Sequence, residues 1–346
     1  MAAALIAVFS ISIPIRAADR ITVKSDTKRL AGEVSSISKK EVVIKTGLRK
    51  DKPKTVPVND IIKIEWDREP AKLNTFRNAE AAGNLQLALT GYQTLLKDPK
   101  VTNAKLKADL TYFIARTTAR LALADPGKLD EAITKLKDFH RTNANSYHFY
   151  ELLSHLGSAY LAKKDYPLAK STYKAMSLAP WQDVQLKARN EEGRVWLAEG
   201  KAKEALDIFK EVLAKTVGNL SLKALATDAT LGKAACLVKT KKYAEAIREL
   251  EIVIDTAPQG DSHLLARAYT LQGDCYRNLD GRQKDALLAY LHVDVLFENE
   301  TEFHPKALYY LSKLWAELGN GVRAGAAKAK LTQTKKYENS EWAKMP

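Results

Sequence analysis

A small residue and an alanine recur at one fixed spacing in the C-terminal part of the chain. Gly157 precedes Ala169 by twelve residues, and Gly193 precedes Ala205 by the same number. An aromatic residue follows each alanine four positions later, on the same face of a helix. Self-similarity at a period of a few tens of residues is typical of stacked structural units. The spacing therefore predicts a solenoid of helix pairs, in which each pair buries its apolar face against its neighbours.

The alanine of the second helix marks the phase of each repeat. Seven such positions occur, separated by 36 to 44 residues: Ala88, Ala132, Ala169, Ala205, Ala246, Ala286 and Ala324. The residues that lengthen the repeats fall where Pro, Gly, Asn and Asp concentrate, which predicts longer turns between helices. The repeats near Ala88, Ala132 and Ala324 match the pattern poorly. Terminal repeats are expected to depart from the consensus, because one of their faces has no neighbour.

The unit between residues 153 and 180 resembles the tetratricopeptide repeat. The residues that carry this resemblance are Leu153, Leu156, Gly157 and Tyr160 in the first helix, then Ala169, Tyr173 and Pro180. The resemblance implies an all-α, superhelical solenoid of about seven helix pairs over residues 70–346, whose concave surface binds protein partners. It implies neither catalysis nor a cofactor.

Residues 19–69 show a different periodicity, in which apolar side chains alternate with polar ones. Five such runs predict five short strands, near residues 21–23, 30–37, 42–45, 56–58 and 62–66. This segment resembles the small SH3-like or Sm-like β-barrels that bacterial envelope proteins carry behind a signal peptide. We therefore predict an α+β multidomain chain, with a small five-stranded β-barrel followed by the solenoid.

An apolar stretch precedes the predicted barrel. Residues 2–15 are uncharged and mostly apolar, and Arg16 and two alanines follow them. This stretch is too short to span a bilayer, and it has the length and the small flanking residues of a secretory signal. A basic n-region is absent, so either the true start lies upstream or the signal is weak, and a buried N-terminal helix is the alternative. We predict a signal peptide at residues 1–18 and a periplasmic or envelope location, with no transmembrane span once the signal is removed.

The sequence contains none of the common catalytic motifs. Phosphate-binding loops, dinucleotide-binding glycine patterns, the zinc-protease helix and the hydrolase nucleophile elbow are all missing. His148 and His155 share a helix face with Glu151 between them, but a third strong ligand is lacking, so we predict no metal site. Cys236 and Cys275 lie one repeat apart, at a helix spacing of about 8 to 10 Å that exceeds disulfide reach, and they are expected to be free thiols. We predict no catalytic residue, no cofactor and no metal.

The chain is basic, with a formal net charge of +14 at pH 7. The excess of Lys and Arg over Asp and Glu is spread over both predicted domains rather than concentrated in one. Trp66 is the only aromatic residue between Asp19 and Pro70, whereas single-strand binders need several rings on which bases stack. We therefore do not expect nucleic acid to be the partner.

The tetratricopeptide resemblance also implies which side chains face a partner. Carried over to the first helices of the clearest repeats, the inward positions are Lys187, Asn190, Arg194, Arg267, Thr270, Asp274, Arg277, Lys306, Tyr309 and Lys313. This basic and polar wall would suit an acidic peptide or a protein tail with carboxylates. One alternative interpretation is that these residues are ordinary solvent-exposed helix positions with no binding role. Another is a cell-wall or polyanion-binding module, in which the basic loop at residues 49–54 of the barrel binds and the solenoid is a spacer.

Overall fold

The computed structural model describes most of the chain: residues 18–26, 29–47, 52–258, 260–338 and 340–346. The predicted signal peptide, apart from its last residue, lies outside the described residues, and so does the first half of the basic loop. Within the described part, no helix combines the length and the apolar character that a membrane span requires.

The N-terminal segment forms one antiparallel sheet of five strands, as its alternating pattern predicted. The strands are β1 (Asp19–Val23), β2 (Leu30–Ile37), β3 (Glu41–Thr46), β4 (Lys52–Pro57) and β5 (Ile61–Glu65). They are arranged in the order β4-β3-β2-β1-β5, so β4 and β5 are the two edges. One face is buried because alternate side chains point the same way, and Ile21, Val34, Ile44 and Ile64 form its core.

The rest of the described chain contains fourteen α-helices. They are α1 (Lys72–Ala81), α2 (Leu85–Lys97), α3 (Ala104–Ala124), α4 (Leu129–Thr142), α5 (Phe149–Ala162), α6 (Tyr166–Met176), α7 (Gln182–Ala198), α8 (Ala202–Thr216), α9 (Lys223–Lys239), α10 (Tyr243–Thr256), α11 (Ser262–Arg277), α12 (Gln283–Leu296), α13 (His304–Glu317) and α14 (Gly321–Gln333). Consecutive helices pack in pairs, and from α3 to α13 the odd-numbered helices also contact one another. We call the odd-numbered helices the inner layer of this solenoid.

At the predicted glycine positions, paired helices approach closely. A Cβ atom added to Gly157 would lie 2.5 Å from the ring of Tyr173 in the following helix, and one on Gly193 would lie 2.8 Å from the ring of Phe209. Six of the seven phase-marking alanines are completely buried. The seventh, Ala324, is only partly buried, because no further repeat covers α14 among the described residues.

The sheet lies against the inner layer of the first four helix pairs. Trp66, just after β5, donates a hydrogen bond to Asp109 of α3, and Asn59 donates one to Asp183 of α7. The ammonium group of Lys39 lies 4.0 Å from the centre of the Phe149 ring in α5. These contacts join two segments that the sequence describes as separate, and they leave only the later inner helices uncovered by the sheet.

The C-terminal segment packs back onto the last inner helix. Trp342 lies with its ring centre 5.6 Å from those of both Tyr309 and Tyr310 in α13. Leu331 and Tyr337 are buried beneath this segment together with Leu308. The inner layer is therefore covered by the sheet near its beginning and by the chain's own C-terminal residues at its end.

Candidate partner-binding groove

Two adjoining cavities lie along the inner layer between these covered ends. The first, of about 600 Å³, lies between the sheet and helices α3, α5 and α7. The second, of about 500 Å³, lies between α7, α9 and α11. Lys187 and Leu225 line both cavities, so the two form one continuous depression. We call this depression the inner groove.

A buried carboxylate fixes the wall between the sheet and the first cavity. Asp109 accepts hydrogen bonds from Trp66 Nε1 at 2.8 Å and from the Tyr147 hydroxyl at 2.7 Å, and its second oxygen lies 3.1 Å from His148 Nε2. Burial alone would lower the pKa of His148, but its hydrogen bonds to Asp109 and Glu151 outweigh burial and raise that pKa. The imidazole ring is also stacked on the Tyr112 ring, with the two ring centres 3.9 Å apart.

A second set of ion pairs holds the neighbouring wall. Glu80, which is almost fully buried, pairs with Arg116 at 2.6 Å and with Arg120 at 3.3 Å. Arg116 also pairs with Glu151 at 3.2 Å. Burial opposes ionisation of Glu80, but Arg116 and the Tyr92 hydroxyl lower its pKa below the usual value. These groups are paired with one another and are not free to bind a ligand.

Two guanidinium groups line the second cavity, those of Arg194 and Arg267, and only the first is paired with carboxylates among the described residues. Arg194 pairs with Glu191 at 2.9 Å and also with Asp228. Burial disfavours its charge, but these two carboxylates raise the pKa of Arg194. Within the described residues, the Arg267 guanidinium makes no hydrogen bond or ion pair. Burial and the positive charge of Arg194 together lower the pKa of Arg267 to about 10.

The structure brings together part of the predicted wall. Lys187, Arg194 and Arg267 line the second cavity. Asn190 lies beneath them, completely buried, and donates to the Leu225 carbonyl at 3.0 Å. Thr270 is also buried, and its hydroxyl donates to the Ala266 carbonyl of its own helix. Three of these five residues can therefore reach a ligand in the groove, whereas the other two support the helices.

The remaining predicted residues form a separate cluster near the C-terminal segment. Asp274 is buried and accepts from the Tyr290 hydroxyl at 2.7 Å and from the ammonium of Lys306 at 2.5 Å. The Arg277 guanidinium lies 3.9 Å from the centre of the Tyr310 ring. Tyr309 packs on Trp342, and Lys313 lies 5.5 Å from the Tyr309 ring centre. This cluster lies outside the residues that line the two cavities.

Several titratable side chains are buried in ion pairs. The Glu191 side chain is only 12% exposed and pairs with Arg194. His304 is buried and lies 2.7 Å from Asp294. Glu80 and Asp109, which organise the first repeats, carry no distinctive sequence pattern. Their only signal is a carboxylate placed on an otherwise apolar helix face.

The two cysteines are free and buried, as their spacing predicted. Burial raises the pKa of both thiols to about 12, so neither is a reactive thiolate near neutral pH. In the part of the chain that is described, no group of three or more His, Cys, Asp or Glu side chains is placed to hold a metal ion.

Comparison with known proteins agrees with this architecture. Residues 197–271, from the end of α7 into α11, match the family model of the tetratricopeptide repeat. A tetratricopeptide repeat protein from Parabacteroides merdae has a TM-score of 0.50 at 17% identity, over 79% of this chain and 94% of that one. A Rap protein complexed with Competence and Sporulation Factor has a TM-score of 0.55 at 16% identity, over 79% of this chain and 78% of that one. No curated protein matches the chain.

These similarities define the class of the helical part. It is a tetratricopeptide-like solenoid, as the repeat spacing predicted, and it follows an N-terminal five-stranded antiparallel sheet. Folds of this class typically serve as non-enzymatic scaffolds for protein interactions.

Proposed function

We propose that the protein is an exported scaffold that binds an extended, acidic segment of a partner protein in the inner groove. The fold class supports a binding role, and one structural neighbour forms a complex with Competence and Sporulation Factor. The groove is open between the sheet and the C-terminal segment, so a chain lying in it would contact α7, α9 and α11. The export part of the proposal rests on the apolar N-terminal stretch alone.

The observation that carries the acidic preference is the unpartnered guanidinium of Arg267. A half-buried cation without a direct ion pair is unfavourable, and the nearby charge of Arg194 makes it more so. Asp228, Glu302 and Glu191 offset part of this cost from a distance, and the pKa of Arg267 is still lowered. A carboxylate from a partner would supply the missing hydrogen bonds and relieve the repulsion. Lys187 also lacks an ion-pair partner among the described residues, and it lies where the two cavities meet. Two adjacent sites are thus available for negative side chains.

Three carboxylates of the groove are poorly suited to proton transfer. Glu151 is paired with Arg116 and His148, and these contacts lower its pKa well below the usual value in spite of burial. Glu191 and Asp228 are both engaged by Arg194. A general acid needs a raised pKa near the working pH, so this arrangement favours a binding role over a catalytic one.

The test is a pull-down with the full chain from envelope extract of the source organism. Proteins retained by the wild type should be lost by a Lys187→Glu/Arg267→Glu variant, chiefly through faster dissociation, because the charges contact the partner directly. The matched control is Lys52→Glu/Lys54→Glu, which reverses two exposed charges on β4. Loss of the partner by the β4 variant and retention by the groove variant would refute the groove and favour the polyanion-binding sheet.

A further inference from the structure

The two edges of the sheet differ in how they resist pairing with another strand. β4 reads Lys-Pro-Lys-Thr-Val-Pro and carries Pro53 and Pro57 as well as two lysines. Proline and lysine are the residues that natural edge strands use to block further pairing. β5 reads Ile-Ile-Lys-Ile-Glu, contains no proline, and pairs only with β1 among the described residues. β5 carries the single lysine Lys63, whereas β4 carries two prolines and two lysines, so β5 is the less protected edge.

The less protected edge faces the inner groove. Four consecutive residues, from Ile61 to Ile64, line the first cavity. Lys63 and Ile64 pair regularly with β1, so their side chains point to opposite faces of the sheet. A cavity that touches both cannot lie over one face alone, so it runs along the edge of β5 that faces away from β1. Arg77 donates to the Ile64 carbonyl at 3.3 Å and closes one end of this edge.

A β-bulge turns an apolar side chain toward the same cavity. The register between β1 and β5 shifts between Thr22 and Val23, so Ile62 has no partner across the ladder. Bulges of this kind re-aim side chains near binding sites. The Ile62 side chain is 61% exposed although it is large and apolar. Trp181, Val184 and Leu225 form the helical side of the cavity.

We propose that the partner segment adds to the free edge of β5 as a sixth strand within the first cavity. Its apolar side chains pack between Ile62 and Trp181, and its acidic side chains extend toward Lys187 and Arg267. The segment is therefore an extended chain. One part of its sequence carries β-branched apolar residues, and the adjoining part carries a cluster of carboxylates. This inference rests on the proposed function, and it makes the sheet one wall of the binding site rather than a separate module.

The experiment begins with a library of random twelve-residue peptides displayed on phage and selected on the full chain. Enriched peptides are then synthesised, labelled and titrated against four proteins: the wild type, Ile62→Glu, Arg267→Glu and Ile252→Glu. Ile252 is the matched control for Ile62, because it is an isoleucine of α10 with a similar exposure, 52% against 61%. Circular dichroism checks that all three variants keep their helical content.

We expect Ile62→Glu to weaken binding by at least about tenfold, because it places an unpaired charge against the apolar part of the ligand. Ile252→Glu should bind like the wild type. Equal binding to Ile62→Glu and wild type, combined with loss on Arg267→Glu, would overturn this inference and leave the proposed function standing. Selection of no peptide above the uncoated surface would overturn both.

A second measurement isolates the backbone contribution. Each peptide is prepared with N-methyl groups on its odd residues or on its even residues. In an added strand only alternate N–H groups face the neighbouring strand. We therefore expect one methylation pattern to abolish binding and the other to preserve it. Tolerance of both patterns, or equal loss with both, would overturn strand addition.

Discussion

Trp66 Nε1 and Asp109 Oδ2 lie 2.8 Å apart in a buried hydrogen bond that joins the sheet to the solenoid. The same carboxylate also accepts from Tyr147 and contacts His148, at the start of α5. The Asp109 side chain thus connects three elements: the end of β5, helix α3 and the start of helix α5. Because β5 lines the inner groove, this bond joins the sheet side of the first cavity to α3.

Removal of this connection should destabilise the protein measurably. Trp66→Phe keeps most of the ring but leaves Asp109 with one hydrogen bond fewer, and we expect the free energy of unfolding to fall by about 1 to 3 kcal/mol. Urea unfolding followed by circular dichroism measures the change. Trp181→Phe is the control, because the Trp181 indole donates no hydrogen bond within the described residues. Equal effects of the two substitutions would show that ring size, not the bond to Asp109, matters.

The close approach of α5 and α6 depends on the absence of a side chain at Gly157. An alanine Cβ there would lie 2.5 Å from the Tyr173 ring, so Gly157→Ala should cost about 1 to 3 kcal/mol through overpacking. Gly325→Ala in α14 is the control, because its Cβ would meet nothing within 4 Å. There, alanine should stabilise the helix by up to about 1 kcal/mol. Thermal unfolding of both variants distinguishes packing from helix propensity, and stabilisation by both would contradict the repeat register.

His148 should make stability depend on pH. Its hydrogen bonds to Asp109 and Glu151 raise its pKa above 6.5 in the folded state, although burial opposes this. The folded protein therefore holds this proton more tightly than the unfolded chain, and the stabilisation is complete below the unfolded pKa and lost as pH rises through the folded one. The stability advantage of wild type over His148→Gln should shrink as the pH rises through the raised pKa of His148. His292→Gln on α12 is the control, and an advantage independent of pH would contradict the assignment.

Export is tested independently of folding. A fusion of residues 1–25 to alkaline phosphatase, which is active only outside the cytoplasm, should give enzyme activity and a shortened product. A fusion of residues 19–25 alone is the control and should be inactive. An uncleaved cytoplasmic product from the longer fusion would contradict the predicted signal peptide.

Features with a local period were predicted correctly from the sequence. The twelve-residue spacing from Gly157 to Ala169 predicted a helix pair, and the structure places the glycine against Tyr173 of the second helix. The alternation between Ile21 and Val23 predicted a strand with a buried face. The one-repeat separation of the cysteines predicted free thiols. In each case the information lies within one or two neighbouring elements, so it can be obtained without a tertiary structure.

The candidate groove required the three-dimensional arrangement. The repeat pattern placed both Arg194 and Arg267 at inward positions. No sequence pattern shows that Glu191 and Asp228 pair with Arg194 and that Arg267 is left without an ion pair among the described residues. These partners are set by contacts between α7 and α9, at side-chain distances that a repeat spacing does not specify. The same is true of Ile62, whose exposure depends on a bulge.

The sequence by itself determined the kinds of element and their order, because strand and helix periodicities are local properties of neighbouring residues. It also determined the close packing within each helix pair, through glycine and alanine at repeated positions. Only the tertiary structure decided that the sheet lies on the inner layer, with Trp66 bonded to Asp109 and Asn59 to Asp183. Those contacts join residues 43 and 124 positions apart, and their geometry depends on how every intervening helix pair stacks.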